Sequence, residues 1–145
     1  MDLRRVSLGA TAVLTAAVVT LLFRRTLFAQ GSLWITFQAL AGALMLWARL
    51  TFGRRSFHAG ADPTEGGLVT TGPYRLVRHP IYAAILLFVW AGVASRGTTV
   101  SLLLTIVATA ALVVRMLAEE RLVAVLYPEY GEHARRTKRL IPFLL

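Results

Sequence analysis

Two short polar stretches, each beside an apolar run, hold the side chains that could carry chemistry. The first extends from Gly72 to Tyr82, reads GPYRLVRHPIY, and is followed directly by an apolar run. The second holds the adjacent pair Glu119 and Glu120, shortly after Arg115. A guanidinium group can orient a carboxylate through paired hydrogen bonds, and a carboxylate can accept hydrogen bonds from hydroxyl or ammonium groups. Polar stretches of this kind at the ends of apolar segments predict a binding site at a membrane surface.

Each of these side chains also has an ordinary structural explanation. Arg78 could extend to lipid headgroups, and Tyr74 and Tyr82 could be interfacial anchors. Arg115 and Glu119 share a helical face and could form a surface ion pair, worth well under about 1 kcal/mol. Adjacent glutamates, however, point to different sides of a helix, so one can face a ligand while the other pairs with arginines. The concentration of polar groups in two segments therefore favours a site.

The composition indicates a membrane protein of one domain. The chain has 145 residues, of which 57% are hydrophobic, and its mean hydropathy is +0.64, which is high for a soluble domain. It has no cysteine, so disulfides and cysteine-ligated metal sites are excluded, and its histidines show no metal-ligand spacing. The net charge is +9, but the basic residues lie between apolar runs. This arrangement is typical of membrane helix flanks, and no nucleic-acid-binding signature accompanies it.

Four apolar runs predict an all-α integral membrane fold with about four transmembrane helices, a cytosolic connecting segment and a C-terminal helix. We expect one domain over residues 1–145, with two transmembrane helices in residues 1–50. The first run is expected to be a retained helix, because no small-x-small cleavage site lies near its end. The last is expected to continue as a helix past the hydrocarbon to the glutamate pair. The runs are Val6 to Phe23, Leu33 to Ala48, Ile81 to Ser95 and Thr98 to Val114, the last two joined closely enough for a helical hairpin.

The distribution of charge predicts the orientation. With four spans, 13 of the 16 Lys and Arg residues lie on the side of the two polar stretches, so both termini are expected in the cytoplasm. Any water-soluble ligand of these stretches would then be cytosolic. All seven acidic residues lie outside the apolar runs, which argues against a proton-coupled transporter.

The spacing of these residues resembles the isoprenylcysteine carboxyl methyltransferase family and, more distantly, the phospholipid N-methyltransferases. The family patterns are similar to GPY-x-x-x-RHP-x-Y-x-G, then R-x-x-x-EE, then E-Y-x-x-Y-x-R-R-x-x-R-x-I-P. The resemblance covers residues 66–142; Ala84 stands where glycine is usual, and His133 stands where the second tyrosine is usual. The matching residues are Gly72, Pro73, Tyr74, Arg78, His79, Pro80, Tyr82, Arg115, Glu119, Glu120, Glu129, Tyr130, Arg135, Arg136, Arg139, Ile141 and Pro142.

The resemblance implies methyl transfer from S-adenosylmethionine to an amphiphilic or lipid-like acceptor at the membrane–cytosol interface. It implies catalytic roles for Arg78, Arg115 and Glu119. The expected cofactor-binding residues are Tyr74, Arg78, His79, Pro80, Tyr82, Glu119, Glu120 and Tyr130. No metal and no nucleic acid is expected.

Several alternatives remain open at this stage. The acceptor could be a carboxyl group, as in the isoprenylcysteine family, the amine of a phospholipid, or a small thiol, so O-, N- and S-methylation are all open. A non-catalytic membrane scaffold and a small transporter are alternatives of another class. The brevity of the chain suggests a bacterial cell membrane, with membrane lipids as partners, and the oligomeric state stays open.

Overall fold

The computed structural model describes residues 2–53 and 67–141. Within these residues the chain is helical, and a short 3-10 helix, Gly72–Arg75, precedes the third α-helix. This confirms the predicted all-α fold with four apolar helices and a C-terminal helix. Gly66, Pro142 and much of the predicted connecting segment lie outside the described residues. The α-helices are α1 (Leu3–Phe23), α2 (Ser32–Phe52), α3 (Pro80–Arg96), α4 (Thr99–Leu126) and α5 (Tyr130–Arg136).

Three of these helices, α1, α2 and α4, are long and apolar enough to cross a membrane. Helix α3 is also apolar but has 17 residues, about 25 Å at the rise of an α-helix, slightly less than the roughly 30 Å of a hydrocarbon core. Helix α4 has 28 residues and continues without a break past Glu120 to Leu126. The expectation that the last apolar run continues as a helix to the glutamate pair is therefore confirmed.

Local sequence explains where the helices begin. The Asp2 side chain accepts a hydrogen bond from the Arg4 amide at 3.1 Å at the start of α1. The Thr98 side chain accepts from the Ser101 amide at 3.3 Å at the start of α4. Pro80 is the first residue of α3, a position where its fixed φ suits a helix and its missing donor costs little. Because α3 ends at Arg96 and α4 begins at Thr99, the connection between them is short, as the hairpin prediction requires.

The helices pack chiefly as two pairs, α1 along α4 and α2 along α3. The α1–α4 contact buries Ser7, Ala10 and Ala17 of α1 against a face of α4 that includes Thr105 and Ala108. Small side chains let helix backbones approach closely in lipid. Although α3 and α4 are consecutive and touch, the more extensive partner of α4 is α1.

One end of the bundle, where α2 ends and α3 begins, is called the site end, and the other is called the opposite end. The opposite end has an apolar cluster that includes Leu21 and Val89. There the Gln38 side-chain amide donates to the Leu27 and Phe88 carbonyls at 2.8 and 3.0 Å and accepts from the Ala29 amide at 2.9 Å. The bonds to Leu27 and Ala29 satisfy backbone groups of the α1–α2 connection that would be costly to leave unpaired in lipid, and the bond to Phe88 joins α2 to α3.

Candidate active site

The start of α3 is held against the segment that follows α5. The backbone amides of Arg78 and His79 donate to the carbonyls of Lys138 and Arg139 at 2.7 and 3.0 Å, and the Lys138 amide donates to the Leu76 carbonyl at 3.3 Å. These bonds form a short parallel bridge. The first polar stretch is therefore joined to residues 138–139 by main-chain hydrogen bonds, and side chains join it to the glutamate pair.

The Arg78 side chain, which is 10% exposed, joins three helices. Its Nε donates to Glu120 Oε1 on α4 at 3.1 Å. Its Nη1 donates to the carbonyls of Ala134 and Thr137 at 2.7 and 2.6 Å. Carbonyls at a helix C-terminus lack helical partners and attract cations. Arg78 thereby fixes α5 against α3 and α4.

Glu120 is the centre of a charged cluster. Its carboxylate, 11% exposed, accepts from Arg78 and lies 3.2 Å from His79 Nε2 and 3.1 Å from Arg139 Nε. We call Arg78, His79, Glu120 and Arg139 the Glu120 cluster. A carboxylate this buried is tolerable only with such compensation.

Glu119 belongs to a second network, which we call the Tyr82 chain (Thr11, Arg115, Tyr82 and Glu119). The Tyr82 hydroxyl donates to Glu119 Oε2 and accepts from Arg115 Nε at 2.8 Å. Arg115 is 8% exposed, and its Nη1 donates to Thr11 Oγ1 of α1. The neighbouring glutamates thus extend into separate networks.

The two networks meet where the His79 ring stacks on the Tyr82 ring. The ring centroids are 5.3 Å apart and the planes differ by 4°. Offset stacking of aromatic rings is favourable. A displacement of the His79 ring would therefore also displace the Tyr82 ring, which couples the two networks.

Two further tyrosines border these networks. The Tyr130 hydroxyl is buried and has no hydrogen-bond partner among the described residues; burial, and next the Glu120 carboxylate, raise the pKa of Tyr130, so the hydroxyl keeps its proton. Tyr74 is buried with its ring centroid 5.4 Å from that of Phe52. Burial, and next the Glu119 carboxylate, raise the pKa of Tyr74.

The position of Tyr74 depends on a glycine. Gly72 has φ of +56°, and a Cβ placed on it would lie 2.6 Å from Thr51 Oγ1 of α2. Only glycine adopts this conformation readily, and the missing side chain lets the 3-10 helix lie against α2. The GPY part of the motif therefore has a backbone explanation.

The structure brings Arg78, His79, Tyr82, Glu119 and Glu120 together at the site end. The other predicted site residues lie beside them: Arg115 contacts Tyr82, Pro80 begins α3, Tyr130 begins α5, and Tyr74 lies in the 3-10 helix. No group of three or more potential metal ligands occurs within residues 2–53 and 67–141.

Two members of these networks were not among the predicted site residues. Arg139 matches the family pattern, and that match was a usable signal. Thr11 lies in an apolar run with nothing in the sequence to distinguish it from other membrane-helix threonines.

The apolar helices and the charged groups gathered at one end define a membrane-embedded helical bundle with an interfacial site. The chain belongs to the phospholipid methyltransferase family, whose sequence model matches residues 31–130. Helix α1 lies before the matched residues.

Two curated relatives are similar to most of this chain. The cobalt-zinc-cadmium resistance protein CzcN of Cupriavidus metallidurans is 42% identical over 111 residues, which cover 73% of this chain and 46% of that protein. The nickel-cobalt-cadmium resistance protein NccN of Alcaligenes xylosoxydans xylosoxydans is 30% identical over 115 residues, 77% of this chain and 53% of that protein. The chain therefore spans about half the length of these relatives. No solved structure matches the chain.

Proposed function

We propose that this protein transfers a methyl group from S-adenosylmethionine to an amphiphilic or lipid-like acceptor at the membrane–cytosol interface, in the manner of an isoprenylcysteine carboxyl methyltransferase. The observation that carries the proposal is the convergence of the Glu120 cluster and the Tyr82 chain at one end of a bundle of this family. Bound S-adenosylmethionine would supply an electrophilic methyl group on its sulfonium.

The residues at the site end fit such a cofactor. The buried Tyr130 hydroxyl has no partner among the described residues, and a buried polar group without one is costly, so a ligand group is a suitable partner. Glu119 accepts one hydrogen bond from Tyr82 but has capacity for several, including those from an ammonium group or ribose hydroxyls. The stacked His79 and Tyr82 rings offer an aromatic surface to adenine.

The remaining residues take positioning and acceptor roles in this proposal. Arg78 holds α5 and Glu120 in place, and Pro80 sets where the backbone enters α3. Either Arg115, buried beside Tyr82, or Arg78 orients an acceptor carboxylate. Methyl transfer demands alignment and exclusion of water above all, and residues fixed by two connected networks supply that alignment.

The nature of the acceptor decides whether a base is needed. A carboxylate is already ionised and needs none. An amine would lose a proton, for which Glu119 and His133 are the candidates. Burial, and next the Arg78 guanidinium, lower the pKa of His133, which favours the neutral imidazole that can accept a proton.

Phospholipid N-methylation is the second candidate function, because the family description names phospholipids. The two functions give different products. Membranes incubated with S-adenosylmethionine labelled in the methyl group would form base-labile methyl esters on a prenyl-cysteine mimic in the first case. In the second case the label would be found in N-methyl groups of ethanolamine lipids, which are stable to base. A non-catalytic scaffold would bind no cofactor, and a transporter would show substrate-dependent ion flux.

The proposed orientation places the site end and both termini in the cytoplasm of a bacterial cell. The basic residues favour this arrangement, since Arg24, Arg25 and Arg96 are the ones at the opposite end among those described. Fusion of a reporter active only in the cytoplasm to each terminus tests it. Activity at both termini supports the orientation, and inactivity at either contradicts it.

Calorimetry of purified protein with S-adenosylmethionine is the direct test of cofactor use. Glu120→Gln is expected to weaken binding strongly, whereas Glu132→Gln, which changes an exposed carboxylate paired within α5, should leave it unchanged. Tyr130→Phe gives a cleaner test, because no hydrogen bond among the described residues is lost. We expect it to weaken binding about tenfold, the worth of one hydrogen bond. Equal and small effects of all three substitutions, or no binding by the unmodified protein, would count against the proposal.

A further inference from the structure

The burial of Arg115 requires fixed partners. The residue is 8% exposed, and an arginine removed from water is costly unless its donors are satisfied. Its Nε donates to the Tyr82 hydroxyl at 2.8 Å, and its Nη1 donates to Thr11 Oγ1. Two helices, α3 and α1, therefore hold the guanidinium from different sides.

The Thr11 hydroxyl can face Arg115 only as an acceptor. It carries one proton, which it donates to the Ser7 carbonyl one turn earlier at 2.8 Å. Its lone pairs are consequently available to the guanidinium. Ser7 itself is fully buried, and its small size lets α1 approach α4 closely at this level.

This arrangement fixes the direction of hydrogen bonding along the Tyr82 chain. Because the Tyr82 hydroxyl accepts from Arg115, its single proton goes to Glu119. If Thr11 ceased to accept from Arg115, the guanidinium would lose its anchor on α1. The orientations of Tyr82 and Glu119 would then be less restricted.

We infer that Thr11 is a positioning residue of the methyl-transfer site, acting through Arg115 and Tyr82 on Glu119. This inference rests on the proposed function. Thr11 lies before residues 31–130, which match the family, so α1 contributes to the site as well as to the membrane span. A chain with α1 replaced by an unrelated apolar helix would lack this contact.

The experiment compares three substitutions in α1 by calorimetry with S-adenosylmethionine on the full chain in detergent. Thr11→Val removes the acceptor at nearly constant volume and is expected to weaken binding about tenfold, the scale of a small misplacement of site groups. Thr11→Ser keeps the hydroxyl and should bind like the unmodified chain. Thr20→Val is the matched control, because Thr20 makes the same kind of bond, to the Ala16 carbonyl at 2.7 Å, and is exposed.

A double substitution separates positioning from a general loss of packing. If Thr11 acts through Tyr82, Thr11→Val added to Tyr82→Phe should weaken binding little beyond Tyr82→Phe alone. A merely structural role would instead multiply the two losses. Unchanged binding by Thr11→Val, an equal loss in Thr11→Ser, or multiplied losses would overturn the inference while the proposed function stands. Absence of binding by the unmodified chain would overturn the proposed function itself.

Discussion

At the site end, Arg78, His79 and Arg139 converge on Glu120 from two stretches of chain, whereas at the opposite end the helices are joined by neutral groups and apolar packing. Gln38 performs at the opposite end what Arg78 performs at the site end, since each binds two backbone carbonyls of other segments. A neutral amide satisfies backbone groups in lipid without the desolvation cost of a charge. The charged groups at the site end compensate one another instead.

Among the substitutions that test this contrast, Glu120→Gln at the site end has the largest expected effect. Loss of the carboxylate leaves Arg78 without its ionic partner, and we expect the free energy of unfolding in detergent to fall by about 3 kcal/mol. Glu132→Gln, with an exposed pair, should change it by less than about 1 kcal/mol. Equal changes in the two variants would mean that the Glu120 cluster does not stabilise the bundle. Denaturant titration followed by circular dichroism measures both.

At the opposite end the corresponding test is Gly92→Ala. A Cβ at this position would lie 2.1 Å from the Leu27 carbonyl oxygen, so α3 must shift, at a cost of about 2 kcal/mol. Gly42→Ala is the control, because nothing lies within 4 Å of its added Cβ, and alanine favours a helix by up to about 1 kcal/mol. A smaller loss in Gly92→Ala than in Gly42→Ala would show that the close approach is not limiting. Thermal unfolding in detergent is a suitable measurement.

Gln38→Leu tests whether a neutral side chain is as necessary as a charged one. The Leu27 carbonyl and the Ala29 amide lose the Gln38 side chain as a partner, and we expect the free energy of unfolding to fall by about 1–2 kcal/mol, with S-adenosylmethionine binding at the distant site end unchanged. Gln30→Leu is a matched control, because its exposed side chain is changed while its backbone amide still donates to Ser95 Oγ. If Gln38→Leu abolished cofactor binding in folded protein, the two ends would not be independent.

The smallest expected effect concerns pH at the site end. Folding lowers the pKa of His133 through burial, and next through the nearby Arg78 guanidinium. His133 therefore binds a proton less readily in the folded chain than in the unfolded chain. The contribution of His133 to stability is therefore constant above the usual histidine pKa of about 6.5 and is lost as pH falls below it. Melting temperatures between pH 8 and 5 should decline less steeply in His133→Gln than in the unmodified chain. Parallel declines would contradict the shift.

The sequence was sufficient for the helices but not for their arrangement. Apolar run length predicted α1 to α4, and the absence of a helix breaker after the fourth run predicted that α4 continues to the glutamate pair. The short connection between α3 and α4 predicted their proximity. It did not reveal that α4 packs most extensively on α1, because apolar small-residue faces are too similar to one another to specify partners.

The residues of the candidate site, like the helices, could be predicted from the sequence, whereas several of their contacts could not. Family spacing predicted the residues that meet at the site end, and the adjacency of Glu119 and Glu120 predicted that they serve different partners. The role of Arg78 in binding the carbonyls of Ala134 and Thr137 was not predictable, since backbone acceptors leave no mark on residue type. Thr11 was not predicted either, because its contact with Arg115 depends on how α1 and α4 are aligned, which the sequence does not reveal.

The pairing of residues 77–79 with residues 138–139 has a consequence for biosynthesis. Glu120 obtains its partners from Arg78 and His79, translated before it, and from Arg139, translated after it. All four apolar helices precede that last arginine in the chain. The Glu120 carboxylate therefore gains its last described partner only after every apolar helix has been synthesised.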